Sequence, residues 1–220
     1  MLLPVRRSCS VLGALLLITT AVRADLPPPA NTIVPSSIPL VGTTGATVDP
    51  NGSAVVIARD AANQPMANST VQLDFSACAN DPARDLFVAA TQPFPGMIAS
   101  CASQTVAAVT NVDGRAEFRL VGEAHAVRGA SGITAPCVVV RVDGQLVNNG
   151  NPIRLAAYDQ DGAGGVNAVD VSLFMDRLFA TYSSRADFNG DGLCNSADLA
   201  MLLHVLFGAG SIESAGALCL

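Results

Sequence analysis

The sequence predicts a mainly β protein, in which a β-sandwich of about one hundred residues precedes a small helical part. Short Val-rich runs separated by turn residues fill residues 41–156, which is typical of antiparallel strands. From Tyr158 onward, apolar residues recur instead at helical spacing. Two similar twelve-residue stretches, beginning at Asp159 and Asp187, each precede one of these helical runs. A duplicated unit of this kind favours two helices that pack together.

The first residues have the features of an export signal. Arg6 and Arg7 precede a short apolar run from Val11 to Ile18, and small residues precede Asp25. We therefore expect residues 1–24 to be a signal peptide and the protein to be secreted. The apolar run is too short to span a bilayer. Residues 25–40 are rich in proline and are expected to form an extended, exposed leader.

The β-rich domain is predicted to span residues 41–156. Its expected strands are AVVIARD (54–60), TVQLDFS (70–76), QTVAAVT (104–110), RAEFRLVG (115–122) and CVVVRVDG (137–144). The turn signals between strands are Asp49-Pro50-Asn51-Gly52, Asp113-Gly114 and Asp143-Gly144. Asp-Gly between apolar runs predicts a hairpin. Residues 79–100 contain three prolines and little periodicity, and we expect an insertion or a long loop there.

Five cysteines follow the expected signal, and export makes disulfides plausible. The odd number leaves at least one thiol free or paired with another chain. The pairs we prefer are Cys78–Cys101, which would close the proline-rich loop, and Cys194–Cys219, which would fix the C-terminus. Cys137 would then be buried and free, although the sequence leaves other pairings open.

The segment DFNGDGLCNSAD (187–198) places oxygen-bearing side chains at the spacing of a calcium loop. Ca²⁺ takes about six to eight oxygen ligands, and a glycine at position six allows the loop to wrap around the ion. The expected ligands here are Asp187, Asn189, Asp191, the Leu193 carbonyl, Asn195 and Asp198. The segment DQDGAGGVNAVD (159–170) is a poorer copy, because Ala163 stands where an acid is expected. Its expected ligands are Asp159, Asp161, the Gly165 carbonyl, Asn167 and Asp170.

Each loop is expected to lead into a helix that begins at the last carboxylate of the loop. The apolar positions of the first helix are Val171, Phe174, Leu178 and Phe179, and those of the second are Leu199, Leu202, Leu203, Leu206 and Phe207. The domain containing both units is predicted to span residues 157–220. Val166 and Cys194 occupy position eight of the two loops, where we expect a short strand pairing between the loops.

Composition narrows the classes of function. Without the expected signal, eighteen acids face nine arginines and no lysine, which argues against nucleic-acid binding and suits bound divalent cations. His125 and His204 are the only histidines, and no nucleophile motif accompanies them. Asp60, Asp74 and Glu117 are acids of the β-rich domain that no spacing marks as catalytic. We therefore expect no enzymatic activity.

Residues 158–207 resemble a type I dockerin domain, on the motif D-x-N-x-D-G-x-x-N-x-x-D at 187–198 and its weaker copy at 159–170. The resemblance implies calcium-dependent folding and docking onto a cohesin, a β-sandwich partner, as in complexes that degrade polysaccharides. The residues that choose the partner in that family correspond here to Ala168-Val169 and Ser196-Ala197, which are not a matched pair. Residues 55–76 and 109–120 resemble, more weakly, bacterial immunoglobulin-like or carboxypeptidase-regulatory-like modules.

Three functions remain open on the sequence. The protein could dock through its calcium-binding domain onto a cohesin-like partner, with cell-surface polysaccharide as a further partner. It could be a structural cell-surface or matrix protein in which calcium only stiffens the helix pair, a reading favoured by the lack of a Pro/Ser-rich linker before Asp159. It could also be a small carbohydrate-active hydrolase. Whether the apolar helix faces are exposed or covered distinguishes the first two.

Overall fold

The computed structural model describes residues 27–28, 30–45, 47–79, 86–124, 136–148, 152–179, 182–207 and 216–219. The expected signal peptide lies outside these residues. The first strands are β1 (Ser37–Leu40), β2 (Thr43–Thr44), β3 (Thr47–Val48), β4 (Ser53–Ile57), β5 (Thr70–Asp74), β6 (Leu86–Val88) and β7 (Ile98–Ser100). The later strands are β8 (Thr105–Val109), β9 (Arg115–Arg119), β10 (Gly122–Ala124), β11 (Val139–Val142), β12 (Gln145–Leu146) and β13 (Arg154–Ala157). The helices are α1 (Ser76–Ala79), α2 (Ala168–Leu178) and α3 (Ser196–Phe207).

The mainly β class is confirmed, and the largest sheet is antiparallel with five strands in the order β12-β11-β5-β8-β7. Its central strand β5 alternates between buried and partly exposed side chains, as expected where one face covers a core. The other strands form pairs, namely antiparallel β4-β9, β6-β10 and β2-β3 and parallel β1-β13. Buried side chains from the large sheet and from the pairs β4-β9 and β1-β13 meet in one cluster that includes Leu73, Val140, Phe118, Ile38 and Leu155.

Strands form in all five runs where the sequence predicts them, but only one of the two Asp-Gly turns closes a hairpin. Asp143 and Gly144 have φ angles of 48° and 81° and join the paired strands β11 and β12, as expected for a two-residue hairpin. Asp113-Gly114 instead carries the chain from β8, in the large sheet, to β9, which pairs with β4. The hairpin prediction at Asp113 was wrong because turn residues specify a reversal of the chain and not the sheet that receives the next strand.

Two segments are more ordered and more buried than the sequence suggested. Ser37–Leu40, expected in the exposed leader, form the buried strand β1 that pairs with β13. Upstream of it, Ile33 exchanges two backbone hydrogen bonds with Ile57. Within the expected insertion at 79–100, Leu86–Val88 form the buried strand β6. Proline content misled both expectations, because a proline fits wherever the strand does not need its N–H.

The disulfides are Cys78–Cys137 and Cys101–Cys219, and Cys194 is the free cysteine among the described residues. The expected pairs Cys78–Cys101 and Cys194–Cys219, and a free Cys137, were therefore wrong. Cys78 follows the end of β5 and Cys137 precedes the start of β11. Because these strands are antiparallel neighbours, with Asp74 opposite Val139, the end of β5 lies beside the start of β11. Proximity along the sequence was the wrong guide.

A second core joins the helices to the β strands. The buried side chains of this cluster include Val41, Val48, Val121 and Ala156 from the β-rich part and Val166, Phe174, Leu202 and Val205 from the helical part. Tyr158 and Phe188 lie in the same cluster and stack with ring centroids 4.4 Å apart. Phe174, Leu202 and Val205 of the helices are therefore covered within this shared core. Phe179 and Phe207, at the ends of the helices, remain exposed. No helix among the described residues is both long enough and apolar enough to cross a membrane.

Replacement of a helix residue in this second core should destabilise the whole molecule. Leu202 is fully buried, so Leu202→Ala is expected to lower the free energy of unfolding by about 2–5 kcal/mol. Because the core is shared, urea unfolding followed by far-UV circular dichroism should show one transition that moves as a whole.

The matched control is His204→Ala, since His204 is exposed on the same helix and its loss should change stability by less than about 0.5 kcal/mol. Two separate transitions, of which only the smaller moves in Leu202→Ala, would contradict a shared core.

Candidate metal centre

Both helices begin two residues before the last carboxylate of their loop, not at it as the sequence suggested. Asn167 caps α2 by accepting a hydrogen bond from the Val169 N–H (2.8 Å), and Asp170 accepts one from the Asn167 N–H (2.7 Å). Asn195 and Asp198 repeat this arrangement at the start of α3, at 2.7 and 3.0 Å. Such reciprocal bonds satisfy N–H groups that a helix leaves unpaired at its start. The asparagine at position nine therefore acts as a helix cap.

Backbone N–H groups fold the first loop around its carboxylates. The other oxygen of Asp170, Oδ1, accepts hydrogen bonds from the Gln160 N–H (2.6 Å) and the Asp161 N–H (3.3 Å). Asp159 Oδ1 accepts one from the Gly162 N–H (2.6 Å). These bonds tie both ends of the loop together and turn its first and last carboxylates inward.

Asp159, Asp161 and Asp170 offer carboxylate oxygens that all lie within 4.8 Å of one another. Oxygens bound to one Ca²⁺ at about 2.3–2.6 Å lie at most about 5 Å apart, so this spacing fits a single ion. Asp159 is only 5% exposed, and its Oδ2 is buried without a hydrogen-bond partner. A buried carboxylate oxygen with no donor is costly, and a cation at this position would satisfy it.

Electrostatics at the first loop also suit a cation. Burial, together with the charge of Asp170, raises the pKa of Asp159 to about 7, against the effect of the hydrogen bond from Gly162. Burial likewise raises the pKa of Asp170, although three backbone hydrogen bonds oppose the change. Carboxylates that resist ionisation in the absence of a counter-ion gain most from a bound divalent cation.

The other ligands expected in the first loop form hydrogen bonds with residues of the same loop. The Asn167 amide donates to the Gly165 carbonyl at 2.9 Å and to the Ala163 carbonyl at 3.3 Å. Asp161 Oδ1 accepts a hydrogen bond from the Ala163 N–H at 2.9 Å, so this alanine supports the neighbouring acid through its backbone. Ala163 itself brings no side-chain oxygen.

The second loop repeats the backbone pattern but holds its acids differently. Asp198 accepts bonds from the N–H groups of Phe188 (2.8 Å) and Asn189 (3.3 Å), and Asp187 Oδ1 accepts one from Gly190 (2.8 Å). Asp187 Oδ2, however, accepts hydrogen bonds from the Tyr182 hydroxyl (2.7 Å) and from the Gly192 N–H. The first carboxylate is thus already satisfied on both oxygens.

Asp191 lies at the exposed side of the second loop. Hydrogen bonds from the Asn189 side chain and from the Leu193 N–H lower its pKa. Among the described residues, three acids lie close enough together to share one ion in the first loop but not in the second. Leu193, whose carbonyl is an expected ligand, has a side chain that is 61% exposed.

The second loop packs on the β-rich part. A Cβ placed on Gly190 would lie 2.6 Å from Ser36 Oγ and 2.8 Å from Ser37 Cβ, at the start of β1. The expected strand pairing of Val166 with Cys194 is absent from the bridges of the described residues. Instead Val166 is buried in the second core and Cys194 packs against that core, while burial raises the pKa of the Cys194 thiol.

The other residues considered from the sequence are dispersed. Asp60 accepts a hydrogen bond from the Gln64 N–H in a turn, and Asp74 accepts one from the Ser76 N–H at the end of β5. Glu117 forms an ion pair with Arg119 at 2.9 Å on β9. His204 is exposed on α3, and His125 lies outside the described residues. Asp60, Asp74, Glu117 and His204, the members of this set that the structure describes, lie on different elements or turns.

The sequence predicted Asp159, Asp161 and Asp170 as ligands, but it indicated that the second loop was the better calcium site. The signal for the first loop was present in its Asp-x-Asp start and its final Asp. The spacing of the residues could not predict that Asp159 is buried or that Asp187 accepts a hydrogen bond from the Tyr182 hydroxyl. No family model matches the chain, and no curated protein or solved structure matches it.

Substitution of two glycines of the second loop should distinguish the cost of backbone strain from the cost of disturbed packing against β1. Gly190 and Gly192 have φ angles of 73° and 88°, so alanine at either costs about 1 kcal/mol in backbone conformation. Gly190→Ala should cost about 1–3 kcal/mol more, because only its Cβ meets a neighbour. The measurement is urea unfolding of both variants in calcium-free buffer. Equal losses would mean that the loop is not packed on β1 in solution.

Proposed function

We propose that this chain is a secreted, non-catalytic calcium-binding protein in which calcium stiffens a helix pair built onto a β-rich body. The observation that carries the proposal is the first loop, where three carboxylates lie close enough to share one ion and a buried Asp159 oxygen has no partner. Ca²⁺ prefers hard oxygen ligands, and the two carboxylates Asp159 and Asp170 are almost fully buried. The two disulfides agree with the expected export, because disulfides persist outside the cell.

The shared second core supports a structural role for the ion over a docking role. Tyr158, the residue before the first ligand, is fully buried and stacks on Phe188, the residue after Asp187. A loop that tightens around calcium would therefore hold both aromatic rings against the β strands. Binding energy that is present only in the folded state adds directly to stability. The ion would thus strengthen the contact between the two parts of the protein.

The proposal includes the second loop, whose first carboxylate already has hydrogen-bond partners before an ion binds. Its Asp187, Asn189, Asp191, Asn195 and Asp198 keep the order expected for calcium ligands, and the Leu193 carbonyl is its position-seven donor. Binding there would have to compete with the hydrogen bond from the Tyr182 hydroxyl to Asp187. The first loop, with its unpartnered Asp159 oxygen, does not face that competition.

Calorimetric titration of the mature protein with calcium tests the proposal. Asp159→Asn should remove the binding heat of the first loop, and Asp187→Asn should remove that of the second. The ion should raise the thermal midpoint of the wild-type chain by several degrees, since each kcal/mol corresponds to roughly 2–4 °C in a chain of this size.

The matched control is Asp113→Asn, an acid in an exposed turn that should leave both heats unchanged. If the wild-type protein gives no heat with calcium and no rise in thermal midpoint, the calcium proposal fails. If it binds calcium without a rise in midpoint, only the stiffening role fails.

Docking onto a partner is a second candidate, favoured by one further observation. Phe179 and Phe207 occupy equivalent positions of the two repeats, and they are 82% and 79% exposed. Exposed apolar side chains are typical of a contact site where they form one contiguous patch, and the docking candidate requires these two rings to do so. This arrangement suits the dockerin-like function, in which the helix pair binds a cohesin-like β-sandwich in a polysaccharide-degrading complex.

For the docking candidate, the double variant Phe179→Ser, Phe207→Ser should bind immobilised cohesin modules at least tenfold more weakly than wild type in calcium-containing buffer. Its calcium heats should be unchanged, because neither ring lies in a loop. Val112→Ser is the control, since Val112 is 80% exposed on the β-rich part. Absence of any calcium-dependent binding by the wild-type chain would rule out the cohesin modules tested.

A further inference from the structure

Hydrogen bonds fill every acceptor position of the first carboxylate in the second loop. Asp187 Oδ1 accepts from the N–H groups of Gly190 (2.8 Å) and Asp191 (3.1 Å). Its Oδ2 accepts from the Gly192 N–H (2.9 Å) and from the Tyr182 hydroxyl (2.7 Å). Because an ionised carboxylate offers about four lone-pair sites, these donors leave none for an incoming ion. A cation that binds Asp187 must first displace one of them.

Tyr182 is the donor that can leave Asp187 at the least cost. The other donors are backbone N–H groups of the loop itself, and moving any of them would open the turn that wraps the chain around an ion. The Tyr182 hydroxyl lies at the end of a side chain outside the loop, so rotation about its side-chain bonds removes it without a change of the loop backbone. The side chain is only partly buried, and water can therefore replace the lost hydrogen-bond partner.

The two repeats differ at the position five residues before each loop. Tyr182 occupies that position ahead of Asp187, and Arg154 occupies it ahead of Asp159. The Arg154 guanidinium carbon lies over the Tyr182 ring, 5.6 Å from its centroid, where the cation attracts the face of the ring. Arg154, at the start of β13, thus holds the phenol beside Asp187, whereas Asp159 keeps a buried oxygen without a hydrogen-bond partner.

We propose that Tyr182 is a latch on the second loop, whose hydroxyl takes the place of a cation on Asp187 and is released by calcium only after the first loop has filled. This inference rests on the proposed function, in which both loops bind calcium. The order follows because an ion at Asp159 meets an unpartnered oxygen, whereas an ion at Asp187 must break a hydrogen bond first. A hydrogen bond to a charged group of this kind should weaken binding at the second loop roughly ten- to hundredfold. The first loop then holds a structural ion, while the second loop responds to higher calcium concentrations.

Calorimetric calcium titration of the mature protein and its Tyr182→Phe variant tests the latch. The variant keeps the ring beside Arg154 and removes the hydroxyl, so the dissociation constant of the second loop should fall roughly ten- to hundredfold while that of the first loop stays unchanged. Asp187→Asn added to this variant should abolish the tightened step, which assigns that step to the second loop. The matched control is Tyr158→Phe, which removes the other phenol hydroxyl of the chain. That hydroxyl has no hydrogen-bond partner, and its loss should leave both constants unchanged.

Tyrosine fluorescence follows the release of the latch directly. The chain contains no tryptophan and two tyrosines, so Tyr158→Phe leaves Tyr182 as the sole emitter of this kind. A phenol that donates a hydrogen bond to a carboxylate emits weakly, and release of its hydroxyl should raise the emission. During calcium titration of Tyr158→Phe, the emission should stay constant while the first loop fills and should rise with the second step. Asp187→Asn added to this variant should remove the calcium-dependent rise.

The latch and calcium binding itself can fail separately. If neither the wild-type chain nor Tyr182→Phe gives heat with calcium, the proposed function fails and the latch fails with it. If the first loop binds calcium but Tyr182→Phe leaves binding at the second loop unchanged or weaker, the latch alone fails. An emission rise that accompanies filling of the first loop, or that persists after Asp187→Asn, would also overturn the latch. The emission test leaves Tyr182 intact, so it decides the question even if Tyr182→Phe does not fold.

Discussion

Tyr158 links the β1-β13 strand pair, the second core and the first acidic loop. Its N–H donates to the Leu40 carbonyl, which continues the pairing of β13 with β1. Its ring is fully buried and stacks on Phe188, which in turn stacks on Phe174 with centroids 5.8 Å apart. The next residue is Asp159, the first carboxylate of the candidate metal centre. Strand pairing, the helix-facing core and the acidic loop therefore share one short stretch of backbone.

This connection makes the two sequence-defined parts depend on each other. A helix pair of about 50 residues is too small to bury much apolar surface by itself, and here Phe174, Leu202 and Val205 reach the β strands through the second core. The Tyr158 hydroxyl is buried without a hydrogen-bond partner, and burial with the nearby Asp49 and Asp198 charges raises its pKa. The protein tolerates this cost because the ring provides a large apolar contact at the junction.

The acidic loops illustrate how one carboxylate can serve two purposes. Asp170 and Asp198 each accept three backbone N–H bonds while buried at the start of a helix. These bonds preorganise the loops before any ion arrives, since they hold the chain in its turned conformation. The cost is a concentration of negative charge with little exposure to water. Burial accordingly raises the pKa of both residues. In the proposed function, a divalent cation would relieve that cost at the first loop more readily, because Asp159 retains an unpartnered oxygen.

The sequence by itself determined what depends on local spacing: the strands β4, β5, β8, β9 and β11, the Asp143-Gly144 hairpin, the two loop-helix repeats and the acids at their ends. Each follows from side-chain periodicity or from turn chemistry within a few residues. The tertiary structure decided which chain segments meet, namely β1 with β13, Cys78 with Cys137, Cys101 with Cys219 and the helices with the β-rich part. It also decided that Asp187 bonds to Tyr182 while the oxygen of Asp159 stays free of partners. Contacts between residues far apart in sequence depend on the packing of the whole chain, and no local pattern contains that information.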